Sequence, residues 1–264
     1  MDLKLNKKTA FITGSSQGIG YSTALNLLKE GATVYINGTD TIKLENAVKT
    51  LKNKIPNANV FAIEGDLSKN KVLDRIKNKL SKIDILINNV GIYKSQSFYN
   101  TTNEDWLKQF NVNFMCGVEL SRYYLPKMIE SNWGRIIFIS SECAFLVPED
   151  MISYSVTKLA LHGLSRGLSK LTSGTEVTVN TIVPGSTLTP GANKFLNELA
   201  NKEDKTIKQV EKEFFDKVRT SSILKRFATE DEVAKTIIYI CSPVSIATNG
   251  SVIKVDGGST GGIN

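Results

Sequence analysis

The chain has 264 residues, 41% of them hydrophobic and 22% charged, an ordinary globular composition that excludes fibrous and disordered classes. Lys and Arg total 33 against 26 Asp and Glu, a formal charge of +7, but the lysines are scattered over helix faces without interleaved aromatics. A solvated surface is expected, not a nucleic-acid site. Cys116, Cys143 and Cys241 lie far apart with no C-x-x-C pair, which argues against a disulfide framework or a zinc site. No apolar run reaches the ~18 residues of a membrane helix, and MDLKLNKK lacks an apolar leader core. The expectation is a cytosolic protein with no metal and no membrane.

The first strand, TAFIT at 9–13, runs into Gly14, Ser15, Ser16, Gln17, Gly18, Ile19 and Gly20, which open a helix over about 19–30. Glycines here serve either a tight packing turn or a backbone that a ligand must approach closely. Preceded by a strand and opening a helix, the turn points to an anion, a pyrophosphate above all, seated on outward-facing N–H groups. The second strand, ATVYIN at 32–37, leads to Gly38 and Thr39, then a helix over 41–54. NVFAI at 59–63 is followed by Asp66 and Leu67 and a helix over 69–81. IDILIN at 83–88 leads into Asn89, Val90 and Gly91, and a helical pattern covers 103–131.

GRIIFIS at 134–140 is followed by Ser141, and a helix spans about 154–173. VTVNTIV at 177–183 precedes Pro184 and Gly185. A charged helical insertion, about 189–222, then breaks the rhythm and is read as a substrate lid, the alternative being a solvated helical pair. A helix at 230–241, the strand SVIKV at 251–255 and a mobile tail, GGSTGGIN, complete the chain. Seven β-branched runs alternating with helices imply right-handed crossovers and a parallel sheet covered on both faces. The fold class is α/β, a single doubly wound Rossmann domain over residues 1–264 with seven parallel strands.

On these residues the chain resembles the short-chain dehydrogenase/reductase family over nearly all its length. The turn T-G-x-x-x-G-I-G stands at Thr13 to Gly20, the adenine-side D-[LV] at Asp66 and Leu67, and N-N-A-G at Asn88 to Gly91 with Val90 in place of Ala. The active-site Ser with Y-x-x-x-K thirteen residues on stands at Ser141, Tyr154 and Lys158, the P-G at Pro184 and Gly185, and D-G-G at Asp256 to Gly258. The resemblance implies a nicotinamide cofactor held by Gly14 to Gly20, Gly38, Thr39, Asp66, Leu67, Asn89, Gly91, Tyr154, Lys158, Pro184, Gly185, Thr187 and Thr189.

It also implies Tyr154 as general acid/base toward a small carbonyl or alcohol substrate, Ser141 on the substrate oxygen, and Asn113 organising the lysine and a proton-relaying water. Tyr154 and Lys158, four apart, share a helix face, and a nearby ammonium favours the phenolate. Relatives assemble as homodimers and homotetramers through the long helices, which is carried over as the expected assembly. Gly38 lacks the carboxylate that repels a 2′-phosphate, and Asn37, Thr39 and Ser15 are expected to hydrogen-bond one. NADP(H) is thereby favoured over NAD(H), with Asp40 arguing the other way. His162 is read as a packed or interface histidine, and Glu142 and Cys143 as pocket wall or packing. The alternatives are a 3-oxoacyl-thioester (acyl carrier protein) reductase and a nucleotide-sensing binding protein; the latter should have lost Tyr154 or Lys158.

Overall fold

The computed structural model describes residues 2–262. Met1, Ile263 and Asn264, at the ends of the leader and tail segments considered above, lie outside the described residues. The β-branched runs form seven strands: β1 (Thr9–Ile12), β2 (Thr33–Gly38), β3 (Val60–Glu64), β4 (Ile85–Asn88), β5 (Gly134–Ile139), β6 (Val177–Pro184) and β7 (Val252–Val255). They pair in the order β3-β2-β1-β4-β5-β6-β7, every pairing parallel. Every residue of β4, β5 and β6 is buried, as a sheet covered on both faces requires.

The helices are α1 (Gly18–Lys29), α2 (Thr41–Lys54), α3 (Asn70–Lys79), α4 (Asn103–Phe110), α5 (Cys116–Glu130), α6 (Cys143–Leu146), α7 (Ile152–Lys170), α8 (Pro190–Glu203), α9 (Ile207–Lys217) and α10 (Glu230–Cys241). One core joins Leu27 of α1 and Ile237 of α10 to Ile12, Ile36 and Ile87 of the sheet. On the opposite face Leu120 and Tyr124 of α5 and Leu161 of α7 pack on Phe11, Leu86 and Phe138. The strand order reverses between β1 and β4, and an open α/β sheet leaves its ligand crevice at such a point, beyond the strand C-termini.

Two features differ from the sequence-based expectations, the long helix after β4 and the tail. The helix expected over 103–131 is α4 and α5 joined by a π-helical turn, Asn111–Met115, of the kind that inserts one residue into a helix at functional sites. The insertion is two helices: Thr189 caps α8 through Ala192 N, and Thr206 caps α9 in a reciprocal box with Gln209. Leu196, Val210, Phe215 and Phe227 give this pair a small core of its own.

The tail is also not loose over its first residues. The Asp256 carboxylate accepts from Gly258 N (3.0 Å) and Thr260 N (2.9 Å), while Gly257 O accepts from Ile223 N and Leu224 N. A GGST run reads as flexible because glycine and serine carry no packing signal; the aspartate before it supplies the anchor.

Candidate active site

A cleft of ≈ 510 Å³ opens at the topological switch point, lined by the glycine turn, the segments after β4 and β5, Tyr154 and Lys158, and the start of α8. Of the expected cofactor and catalytic residues, it gathers Gly14, Gln17, Gly18, Ile19, Asn89 and Gly91 with Ser141, Tyr154, Lys158, Pro184, Gly185, Thr187 and Thr189. Ser15, Ser16, Gly20, Gly38, Thr39, Asp66, Leu67 and Asn113 are outside its walls.

Gly14 and Gly18 hold φ of +59° and +71°, a region where side chains are strained. A Cβ on Gly14 would lie 2.8 Å from the Cα of Val90, whereas one on Gly18 would meet nothing nearer than the Thr189 methyl at 3.8 Å. Gly14 is therefore a packing glycine as well, and Gly18 faces open cleft. Asn89 binds the turn to β4, its amide donating to Thr13 O (3.0 Å) and Gly14 O (2.8 Å). Among the described residues the first turn of α1 has no side-chain cap, and it carries no acidic residue. Its N–H groups and the positive end of the helix favour an anion. A pyrophosphate fits that cradle.

Two residues expected at the 2′-phosphate are engaged elsewhere. Ser15 is fully buried; its hydroxyl donates to Ile12 O (2.7 Å) and accepts from Asn37 N (3.0 Å). Asn37 accepts from Gly14 N (3.2 Å) and donates to Ile63 O (3.0 Å) and Gly65 O (3.1 Å). Both fasten the turn to β2 and β3, so neither is free to meet a phosphate. Thr39 is exposed and Ser16 half-buried beside Gly38. Asp40 caps α2 through Lys43 N (3.0 Å) and pairs with Lys43 Nζ at 3.7 Å. Asp66 accepts from Ser68 N (2.9 Å), and Leu67 is core.

Tyr154 and Lys158 extend from the first turns of α7. Lys158 is buried and its Nζ donates to Ile139 O at 2.8 Å. Burial draws its pKa down to about 8. Burial likewise pushes the Tyr154 phenol above its ordinary value, helped by Cys143, Tyr93 and Glu142 and opposed by the Ser141 hydroxyl. The expected pull of the ammonium toward phenolate is outweighed by this desolvation, and Tyr154 keeps its proton at neutral pH.

Asn113, set inward by the π-helical turn, accepts from Ile92 N (2.8 Å) and donates to Ile92 O (2.9 Å) and Thr157 Oγ1 (3.0 Å). Its side chain thus clamps the loop after β4 to α7 beside Lys158, with no direct bond to the lysine. His162 bonds Ser140 Oγ at 2.8 Å and lies against Phe145; burial lowers its pKa. It is a packed histidine.

Several cleft residues carried no motif. Phe195 of α8, Phe214 of α9 and Ser186 line it. Arg219, just past α9, reaches Glu142 at 3.0 Å. The apolar spacing within the insertion was the available signal for the phenylalanines; no local pattern marks a pair 77 residues apart.

Comparison with known proteins agrees with this geometry. The short chain dehydrogenase family model matches residues 8–200. An uncharacterized oxidoreductase of Bacillus subtilis (strain 168), YvaG, is 39% identical over 258 residues, 98% of each chain. The 3-oxoacyl-[acyl-carrier-protein] reductase FabG of Aquifex aeolicus (strain VF5) is 32% identical over 98% of this chain and 99% of its own. L-sorbose reductase from Gluconobacter frateurii, in complex with NADPH and L-sorbose, superposes with a TM-score of 0.92 at 30% identity over 100% of both chains. No helix among the described residues is long and apolar enough to cross a membrane. The chain belongs to the short-chain dehydrogenase family, and it is an NAD(P)-dependent oxidoreductase that interconverts alcohol and carbonyl groups.

Proposed function

We propose that this protein is a cytosolic NADPH-linked reductase of small ketones or aldehydes, with Tyr154 as its proton donor. The observation that carries the reading is the convergence of Ser141, Tyr154 and Lys158 on the cleft that also holds the uncapped glycine turn. The bound nicotinamide supplies hydride. Ser141 and Tyr154 hydrogen-bond the substrate oxygen where negative charge develops. Tyr154, held protonated by burial, releases its proton to that oxygen and takes it back in the oxidative direction. Lys158 holds the cofactor's ribose, Asn113 keeps the lysine's surroundings in register, and 189–222 covers the substrate end.

NADP(H) is favoured over NAD(H) because Gly38 presents no carboxylate and Asp40 is committed to capping α2 and to Lys43. Ser16 and Thr39 remain for the 2′-phosphate, and the NADPH complex of L-sorbose reductase supports the preference. A homodimer or homotetramer is supported by exposed Leu107 and Met115 beside α4 and α5 and Leu159 on α7. The three buried free thiols suit the cytosol. The second reading, reduction of a carrier-bound 3-oxoacyl thioester, is favoured by the similarity to FabG; Phe195 and Phe214 over the cleft weigh against it.

The test mixes the purified chain with NADPH or NADH and a panel of ketones, aldehydes and acetoacetyl thioesters, followed by nicotinamide absorbance. Oxidation of NADPH by a small ketone or aldehyde is expected. Nucleotide binding without turnover of any panel member would overturn the reading.

A further inference from the structure

Tyr93, in the segment after β4, lines the cleft and is 63% exposed. Its ring centre lies 5.9 Å from that of Tyr154, the two rings inclined at 62°, edge to face. A substrate that brings its carbonyl to Tyr154 thus sets its substituents beside a second aromatic ring. Phe195 of α8 lines the same cleft and is 47% exposed, whereas its neighbour Leu196 is buried in the core of the insertion. Two large aromatic side chains left uncovered at a reaction cleft mark the place of an apolar guest. The polar side chains of the wall agree. Outside the cofactor and catalytic sets, and Tyr93 aside, they are Ser140, Glu142 and Ser186 among the described residues. Ser140 Oγ donates to Lys158 O (3.0 Å). Ser186 Oγ donates to Glu142 Oε1 (2.8 Å), which also accepts from Arg219 Nε (3.0 Å), and Glu142 Oε2 is shut away from solvent. A hydroxylated or charged substituent entering here would lose its water and find those partners taken, which is costly.

From this we infer that Tyr93 is a specificity-determining residue, the wall on which an aromatic group of the substrate packs, and that the substrates are ketones or aldehydes carrying an aryl ring. The inference rests on the reductase reading above and names its substrate class. An aryl ring against Tyr93 gains the offset or edge-to-face geometry that aromatic pairs prefer, a gain that a saturated ring of the same size lacks. Phe195 brings the insertion into the same recognition. A ketone bearing hydroxyls in place of the ring is disfavoured, because the cleft wall has no free partner for them.

The test compares kcat/KM for 4-phenyl-2-butanone, 4-cyclohexyl-2-butanone and dihydroxyacetone in the wild type, Tyr93→Leu and Tyr93→Phe, with NADPH affinity and Tm alongside. The first two ketones match in size and neither ring is conjugated with the carbonyl, so their ratio reads the aromatic contact. The wild type should prefer the phenyl ketone about threefold or more over its cyclohexyl counterpart, and at least tenfold over dihydroxyacetone. Tyr93→Leu should bring the phenyl-to-cyclohexyl ratio near one and Tyr93→Phe should keep it, with NADPH affinity within threefold in both. A wild type that fails to favour the phenyl ketone over both others, or a ratio unmoved in folded Tyr93→Leu, overturns the inference while leaving the reductase reading intact. The wild-type ratios alone decide if Tyr93→Leu does not fold. Failure to reduce any ketone of the wider panel overturns the reductase reading, and this inference with it.

Discussion

The ammonium of Lys158 lies 5.7 Å from the centre of the Tyr154 ring, one helical turn away on α7, and its bond to Ile139 O ties that helix to the end of β5. Both side chains are buried, and burial shifts both toward their neutral forms, the phenol by keeping its proton and the amine by losing one more easily. The pair thereby couples the catalytic helix to the sheet and makes stability depend on pH.

The sign follows from the lowered lysine value. Between pH 8 and about 10.4, the usual lysine pKa, the unfolded chain binds more protons at this position than the folded one, so folding gains stability as pH rises through that window. The full gain is on the order of 3 kcal/mol at about 1.36 kcal/mol per pKa unit. Comparing Tm of the wild type and Lys158→Met from pH 7 to 10 should show the wild type rising relative to the variant. A relative fall would contradict the burial of this lysine.

Gly18→Val and Gly14→Ala should behave differently. A side chain on Gly18 projects into open cleft, so Gly18→Val should weaken NADPH binding at least tenfold with a Tm loss of a few degrees. Gly14→Ala collides with Val90 backbone and should lower Tm more than Gly18→Val does. Fluorescence titration with NADPH and thermal melts read both. Unchanged affinity in Gly18→Val would return the turn to a packing role.

Cofactor preference should respond to the end of β2. Gly38→Asp sets a carboxylate against the 2′-phosphate and should shift the kcat/KM ratio toward NAD at least tenfold. Its Cβ lies 3.2 Å from Ser16 Oγ, so the serine must yield slightly. Thr39→Arg should shift the ratio the other way through a charge-assisted bond. A wild type already favouring NAD by more than tenfold would reverse the assignment.

The sheet, the helices of the crossovers and the cleft's motifs are legible in the sequence because each is a local pattern: β-branched runs, apolar spacing and glycines after a strand. What was not legible depends on where a side chain goes. Ser15 and Asn37 have the right chemistry for a phosphate, yet both are engaged by backbone groups of β1, β2 and β3. The π-helical turn at Asn111–Met115 adds one residue to a helix, too small a phase change to disturb the apolar pattern. The Glu142–Arg219 contact exists only once the insertion has folded over the cleft.

The most direct test of the account is Tyr154→Phe, measured for turnover of a reducible ketone and for NADPH affinity in the same preparation. The variant keeps the ring and loses only the transferable proton. The account predicts a fall in kcat of about 10²-fold to 10⁴-fold, with NADPH affinity within threefold and an unchanged fold. Turnover within a few fold of wild type would contradict Tyr154 as the proton donor.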